Sequence, residues 1–321
     1  MPESVAPPRS KWLKGASPDQ PTHKVARNFL ERRLLSVAYW VARSSEEGDD
    51  TVDAMPRLLA SSNRAIEAVR AFSGFVDIEN WEFLQVRLGE IREVAKEACD
   101  IDSIGGPFLR AVSEGAVDAA VCKVADIVSG QCKDTRLQIE TLNNQLVADQ
   151  FGDVIRATVD SVKSSKKGGT KRFGDYARGY FKPILKDFMI AVEDDLTEEE
   201  TVHDIRIQAK RIRGSMEIVE VAFPPMFRSQ LYPRITSLLR MMNQVNDHAT
   251  ARMLYRQWMS QDNDEQLKAF FQGVMIVAEK ADEDIRSILL STWSKAELAR
   301  LKKRLKKQLK KQFKKCIKDS D

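Results

Sequence analysis

The sequence predicts an all-α fold, and three observations carry that expectation. Five of the eleven prolines lie within the first 21 residues, which leaves six for the remaining 300. Proline removes a backbone donor and disrupts helix interiors, so a chain that avoids it over such a length is mostly helix. Glycine is sparse and clusters at expected breaks: Gly48, Gly105–Gly106, Gly130 and Gly168–Gly169. Alternating Val/Ile/Tyr runs bounded by Asn-Gly or Asp-Gly turns, the signature of hairpins, do not occur.

Helical periodicity then places the elements in order. A helix is expected over Val25 to Arg43, where Phe29, Leu30, Leu34, Val37 and Val41 recur at helical spacing. Thr51 to Phe75, Trp81 to Cys99, Phe108 to Val128 and Thr135 to Val162 follow. After a break come Tyr176 to Glu193, Glu198 to Ala222, Leu231 to Met259 and Asp264 to Leu290, and the chain closes in a basic helix. The break is Lys163 to Arg172, whose Ser, Lys and Gly content reads as a flexible basic linker. The expected organisation is a disordered Pro-rich stretch (1–22), a first helical bundle (23–162), the linker (163–172), a second bundle (173–292) and the basic amphipathic helix (293–321).

The two halves share a pattern. Each opens with a long helix and an acidic connection (Ser44 to Asp50; Asp194 to Glu200), then a helix ending in Ala71-Phe72 or Ala222-Phe223. Each continues with a polar signature, Leu88-Gly89-Glu90-Ile91-Arg92-Glu93 or Met242-Asn243-Gln244-Val245-Asn246-Asp247. An internal repeat of two four-helix bundles is the expectation.

Composition excludes several classes. Hydrophobic residues make up 43% and charged residues 31%, which suits a soluble globular chain rather than a disordered one. No apolar run approaches the ~18 residues of a membrane helix, and the N-terminus has no apolar core for a secretory signal. Cys99, Cys122, Cys132 and Cys316 are widely spaced, so reduced thiols in a cytoplasmic protein are expected, with no metal site. His23, His203 and His248 are too few for histidine-rich zinc chemistry, and adjacent Asp247-His248 point about 100° apart on a helix. No nucleophile–base set and no glycine-rich phosphate loop is present, which points away from an enzyme and from any cofactor.

Charge is distributed unevenly. From Arg300 to Lys318 there are 11 Lys and Arg, followed by Asp319 and Asp321, so the last 22 residues carry +9. The preceding 299 hold 40 basic and 45 acidic residues, a net −5. Leu298, Leu301, Leu305, Leu309 and Phe313 share an arc of about 120° in this tail. Such a helix can dock its leucines as a cap, serve as a phosphate-binding arm, or meet an anionic membrane or acidic partner. Trp12, Trp40, Trp81, Trp258 and Trp293 are scattered and read as core or interface residues, with no aromatic ladder for nucleic-acid bases.

The most informative segment runs from Thr201 to Glu217. At ~100° per residue, Ile205, Ile212, Met216 and Val219 form an apolar stripe about 60° wide. His203, Arg206, Lys210 and Arg213 form a second stripe about 80° wide, with Glu217 inside it and Arg211 at its flank. One reading is a solvated face on which Glu217 pairs with Arg213 at i,i+4. The other is a polyanion surface, because no acid offsets the cations between Arg206 and Arg213.

The string His203-x-x-Arg206-Ile207-x-x-Lys210-Arg211-x-Arg213-x-x-x-Glu217 resembles the second-half signature of the CHAD family, the conserved histidine α-helical domain. So do Leu231-Tyr232-Pro233 and Asn246-Asp247-His248. The first half is similar at Leu30-x-x-Arg33-Leu34, at Arg64 before Ala68-Val69-Arg70-Ala71-Phe72, and at Leu88-Gly89-x-x-Arg92-Glu93. The resemblance spans roughly residues 18 to 292. It implies two four-helix bundles related by a pseudo-twofold axis, with basic residues of both around a central groove that binds inorganic polyphosphate. It also implies triphosphate- or polyphosphate-processing enzymes as partners and a cytoplasmic location at polyphosphate granules.

The residues that the resemblance nominates are Arg206, Lys210, Arg211 and Arg213 with His203 as donor, Arg33, Arg64 and Arg92 from the first half, and Lys182 after the linker. The chain departs from the family pattern in the first half, where Pro56, Leu59 and Asn63 stand in place of most of the expected basic set. It departs in the second where Gly214 replaces a usual aromatic and Met242-Asn243 replaces Leu-Gly. Two further functions therefore stand beside polyphosphate binding. One is an interaction scaffold with a degenerate site. The other is nucleic-acid or anionic-surface binding through the tail, which the net −5 of the body disfavours for nucleic acid.

Overall fold

The computed structural model describes residues 10–12, 15–46, 53–115, 118–162, 172–193, 196–261 and 264–318, the last eleven in backbone only apart from Leu309. Among these residues the chain is all-α, with ten α-helices: α1 (Thr22–Ser45), α2 (Ala54–Ala71), α3 (Ile78–Ser113), α4 (Ala119–Ala148), α5 (Phe151–Ser161), α6 (Phe173–Ala191), α7 (Glu199–Val219), α8 (Tyr232–Gln261), α9 (Glu265–Thr292) and α10 (Lys295–Lys318). Helix starts follow local chemistry. Asp77, Asp118 and Asp264 each cap a helix by accepting from backbone N–H groups of its first turn, at 2.8–3.0 Å. Pro56 falls in the first turn of α2, where a missing N–H leaves no bond unmade, and Pro233 follows directly on a π-helical turn, Phe227–Leu231, that leads into α8.

Two expected breaks are absent. α3 runs through Gly105-Gly106-Pro107, and α4 runs through Gly130. Gly105 is a packing glycine: a Cβ there would lie 2.5 Å from Cγ1 of Val128 on α4. The missing side chain lets the two helices approach, so what reads as punctuation is an interhelical contact. Gly105→Ala is expected to destabilise the protein by about 1–2 kcal/mol despite alanine's better helix propensity, because the stiff Val128 side chain has to move. Thermal denaturation checks this. The actual break falls at Gln150, the one non-glycine residue with positive φ (51°) among those described. It reverses the chain so that Phe151, Ile155 and Val159 of α5 bury on the bundle, where α5 meets α1.

Within each half, consecutive helices pack together, α1 to α4 and α6 to α9. Contacts between the halves pair α1 with α6, α2 with α7, α3 with α8 and α4 with α9. One cluster of buried side chains reaches from Trp12 through both halves to Leu309, and a smaller one around Trp258 joins the far ends of α3, α4, α8 and α9. Aromatic rings carry the main core across the chain: Phe72, just past the end of α2, lies 6.0 Å from Tyr176 of α6 in a stacked arrangement, and the Tyr176 hydroxyl donates to the Ala71 carbonyl.

The disorder expected for residues 1–22 is corrected over its described part; residues 1–9, 13 and 14 lie outside it. Backbone N–H groups of Phe173 and Gly174 donate to the carbonyls of Gln20 and Pro18 at 2.8 Å, so the proline-rich stretch docks on the start of α6. Proline's fixed φ lowers the entropy lost on docking, which is why a segment too proline-rich for helix can still be ordered. The linker expected at 163–172 lies outside the described residues except for Arg172, which pairs with Asp19 at 3.1 Å.

Candidate functional site

The stripe of α7 sits as its periodicity requires. Ile205, Ile212 and Met216 are fully buried and fix the helix against the core, which turns Arg206, Lys210 and Arg213 away from it. α2 crosses α7 closely at Gly214, where a Cβ would stand 2.8 Å from Cγ of Glu67. Any side chain at this position would have to displace that of Glu67. The close crossing forms a groove of about 360 Å³, and it brings basic side chains of both halves to one depression. Arg33, Arg64 and Arg92 reach it from α1, α2 and α3, and Lys210, Arg211 and Arg213 from α7.

The charges in this groove are partly compensated. Glu217, 6% exposed, accepts from Arg64 Nε at 3.2 Å and from the Tyr232 hydroxyl at 2.6 Å. Among the described residues no ion pair joins it to Arg213, so the i,i+4 pairing considered from sequence is replaced by a bridge between the halves. Burial and the nearby Glu217 carboxylate push the Tyr232 hydroxyl well above its ordinary range, which keeps it a donor. Arg70 pairs with Glu67 at 2.5 Å, Arg211 with Asp187 of α6 at 3.2 Å, and Arg92 with its neighbour Glu93. Burial raises the Glu67 carboxyl, against the pull of Arg70 and Arg211.

Lys210 and Arg213 stand apart from these pairs. Neither has a carboxylate within ion-pair distance among the described residues, and Arg213 Nε is buried with no hydrogen-bond partner. Lys210 is exposed by surface area, yet the crowded groove wall still desolvates its ammonium. That desolvation, reinforced by the charges of Arg206, Lys96 and Arg213 and opposed by Asp247, brings its pKa down to about 8. Arg33 is nearly buried, and burial beside Arg64 lowers it to about 10, so it stays charged at neutral pH. Such a set of crowded, underused donors is stabilised by an anion entering the groove.

Six of the nine nominated residues thus meet. Arg206 is half-buried one turn before Lys210, facing the Asp247 charge on α8, and does not line the depression. His203 is exposed at the start of α7, about 10 Å along its axis from Lys210. Lys182 is exposed on α6, away from the groove lining. Sequence reasoning passed over Glu67 and Arg70, which α2 turns into the groove; their i,i+3 spacing from Arg64 and from each other was the available signal. The tail leucines Leu298, Leu301, Leu305 and Leu309 are buried, and α10 lies along α6 with Lys303, Arg304, Lys306 and Lys307 exposed. Phe313 lies outside the described side chains.

The family model of the CHAD domain matches residues 29–256, more than half of the chain. The chain belongs to the CHAD family. Its fold is shared with the crystal structure of the CHAD domain from the plant Ricinus communis, at a TM-score of 0.61 and 14% identity over 93% of this chain and 96% of that one. PptA from Streptomyces chartreusis is similar at a TM-score of 0.58 and 14% identity, over 85% of this chain and 99% of the other. No curated protein matches. At such identities the CHAD fold is shared while the side chains of the groove are this chain's own. No described helix is long and apolar enough to cross a membrane.

Proposed function

We propose that this protein is a non-catalytic binder of inorganic polyphosphate, held in the groove between α2 and α7. The observation that carries the reading is the convergence of Arg33, Arg64 and Arg92 with Lys210, Arg211 and Arg213 on one depression. A polyanion whose oxygens repeat along its length meets donors on successive turns of α7, about 5 Å apart, and releases counterions as they pair. The contacts of α1 with α6 through α4 with α9 support the two-bundle repeat around that groove. Its cytoplasmic location and its enzyme partners are part of the same proposal and rest on family membership.

The competing reading, a scaffold with a degenerate site, draws on the pairs Arg64–Glu217, Arg70–Glu67, Arg92–Glu93 and Arg211–Asp187, which already neutralise four of the cations. Calorimetry with long-chain polyphosphate and duplex DNA, at matched phosphate concentration and 0.15 M salt, separates the two. Preference for polyphosphate is expected; equal weak binding of both would favour the scaffold.

The same titration carries a pH signature. Because Lys210 loses its proton near pH 8 in the free protein, affinity is expected to fall between pH 7 and 9.5, and Lys210→Arg is expected to remove most of the fall. Folding stability moves the other way. The unfolded lysine, at its ordinary 10.5, holds its proton longer than the folded one, so the cost of the crowded, desolvated charge is lifted as pH rises from about 8.

A further inference from the structure

Residues 10–12 touch the groove through Arg33, and no sequence pattern marks them for it. Trp12 is buried against the Tyr232 ring at 4.7 Å, edge to face, and the Arg228 guanidinium lies 4.8 Å from its own ring. Lys11 Nζ stands 4.3 Å from the centre of the Tyr232 ring. The Lys11 carbonyl accepts from Arg33, and the Tyr232 hydroxyl donates to Glu217, which Arg64 also contacts. The segment is therefore clasped by three residues of the groove and its rim.

We propose that residues 10–12 are a strap that completes the groove, and that Lys11 is a further cation contacting the bound polyanion. The inference rests on the reading of the groove as a polyanion site. Two features favour it over mere packing. Lys11 lies within electrostatic reach of Arg64 and Arg213 as well as Glu217, so it belongs to the same field as the α7 donors; burial and those cations lower its pKa, and Glu217 opposes them. Its ammonium is also held over an aromatic face, with no ion pair to a carboxylate among the described residues, a geometry that fixes a lysine without neutralising it. Arg33, which lines the groove, also gives one donor to the strap, so it helps to hold Lys11 in place.

The experiment measures polyphosphate affinity of the full chain against salt for the parent and for Lys11→Gln, Lys11→Arg and Trp12→Ala. Lys11→Gln is expected to weaken binding about two- to five-fold at low salt, as one exposed ion contact does, and to flatten the slope of log K against log salt by roughly 0.7. Lys11→Arg restores the slope because it keeps the charge. Trp12→Ala reproduces the glutamine variant, since the lysine is no longer held. An unchanged slope in Lys11→Gln, with binding still sensitive to Lys210 and Arg213, overturns the role of the strap alone. Tighter binding in Lys11→Gln and Trp12→Ala also overturns it, because the strap would then obstruct the groove. A parent that binds no polyphosphate overturns this inference and the proposed function together.

Discussion

Replacing Arg206, Lys210 and Arg213 together by alanine is expected to lower polyphosphate affinity about thirtyfold at low salt while helical circular dichroism stays that of the parent. The two groove contacts, Lys210 and Arg213, at about 1 kcal/mol each give that factor, and their loss should flatten the salt slope by about 1.4 units, while Arg206, which faces Asp247 outside the groove, adds little. Folding is spared because the opposite side of α7 does the packing: Ile205, Ala209, Ile212 and Met216 are fully buried. An unfolded triple variant would assign these side chains to structure and remove the main support for the groove. The tail needs a gentler control than truncation. Deleting it from Leu298 would take four buried leucines out of the core, so Lys303, Arg304, Lys306 and Lys307 are better changed to glutamine on the docked helix. That variant should lose attraction to DNA at low salt and keep its polyphosphate preference at 0.15 M, where exposed charges reach only about 8 Å.

Glu217→Ala is expected to destabilise the protein by about 3 kcal/mol in urea or thermal denaturation. The carboxylate is buried where α2, α7 and α8 meet, so removing it strands the Tyr232 hydroxyl and unpairs Arg64 at the same point. Arg64 keeps part of its water, which holds the figure at the low end for a broken buried pair. Glu217→Gln, which still accepts from the tyrosine, should recover a large part of the stability. It should also bind polyphosphate more tightly than the parent, since one negative charge leaves the groove. Unchanged stability in the alanine variant would show that the bridge between the halves is dispensable.

How far the site could be read from sequence differs residue by residue. Lys210 and Arg213 were legible because a cationic stripe and an apolar stripe on one helix have a fixed angular relation, and the buried face therefore dictates the other. Arg206, on that same stripe, was placed correctly on the helix but meets Asp247 rather than the groove, because a stripe says nothing about which neighbour covers each of its turns. Glu217 looked like a partner for Arg213 by spacing. It chose Arg64 and Tyr232, which are 153 and 15 residues away, and no i,i+4 rule could have found them. Gly105 and Gly214 show the same limit. Glycine marks a break and a close helix approach alike, and only the identity of the opposing atom tells them apart.

By itself the sequence determined the helical class and the cationic face of α7, since both depend on local backbone preference and 3.6-residue periodicity, but between residues 99 and 162 it put the helix breaks in the wrong places. It also carried enough of the motif to point to the CHAD family. The tertiary structure alone decided that α2 and α7 cross at Gly214, and that Glu217 bridges the halves. It alone decided that Gln150 rather than Gly130 ends a helix, and that Lys11 and Trp12 pack against Arg33 and Tyr232. These depend on contacts between residues far apart in the chain. Such contacts form wherever burial and charge pairing outweigh the chain entropy they remove, and that balance is set in three dimensions.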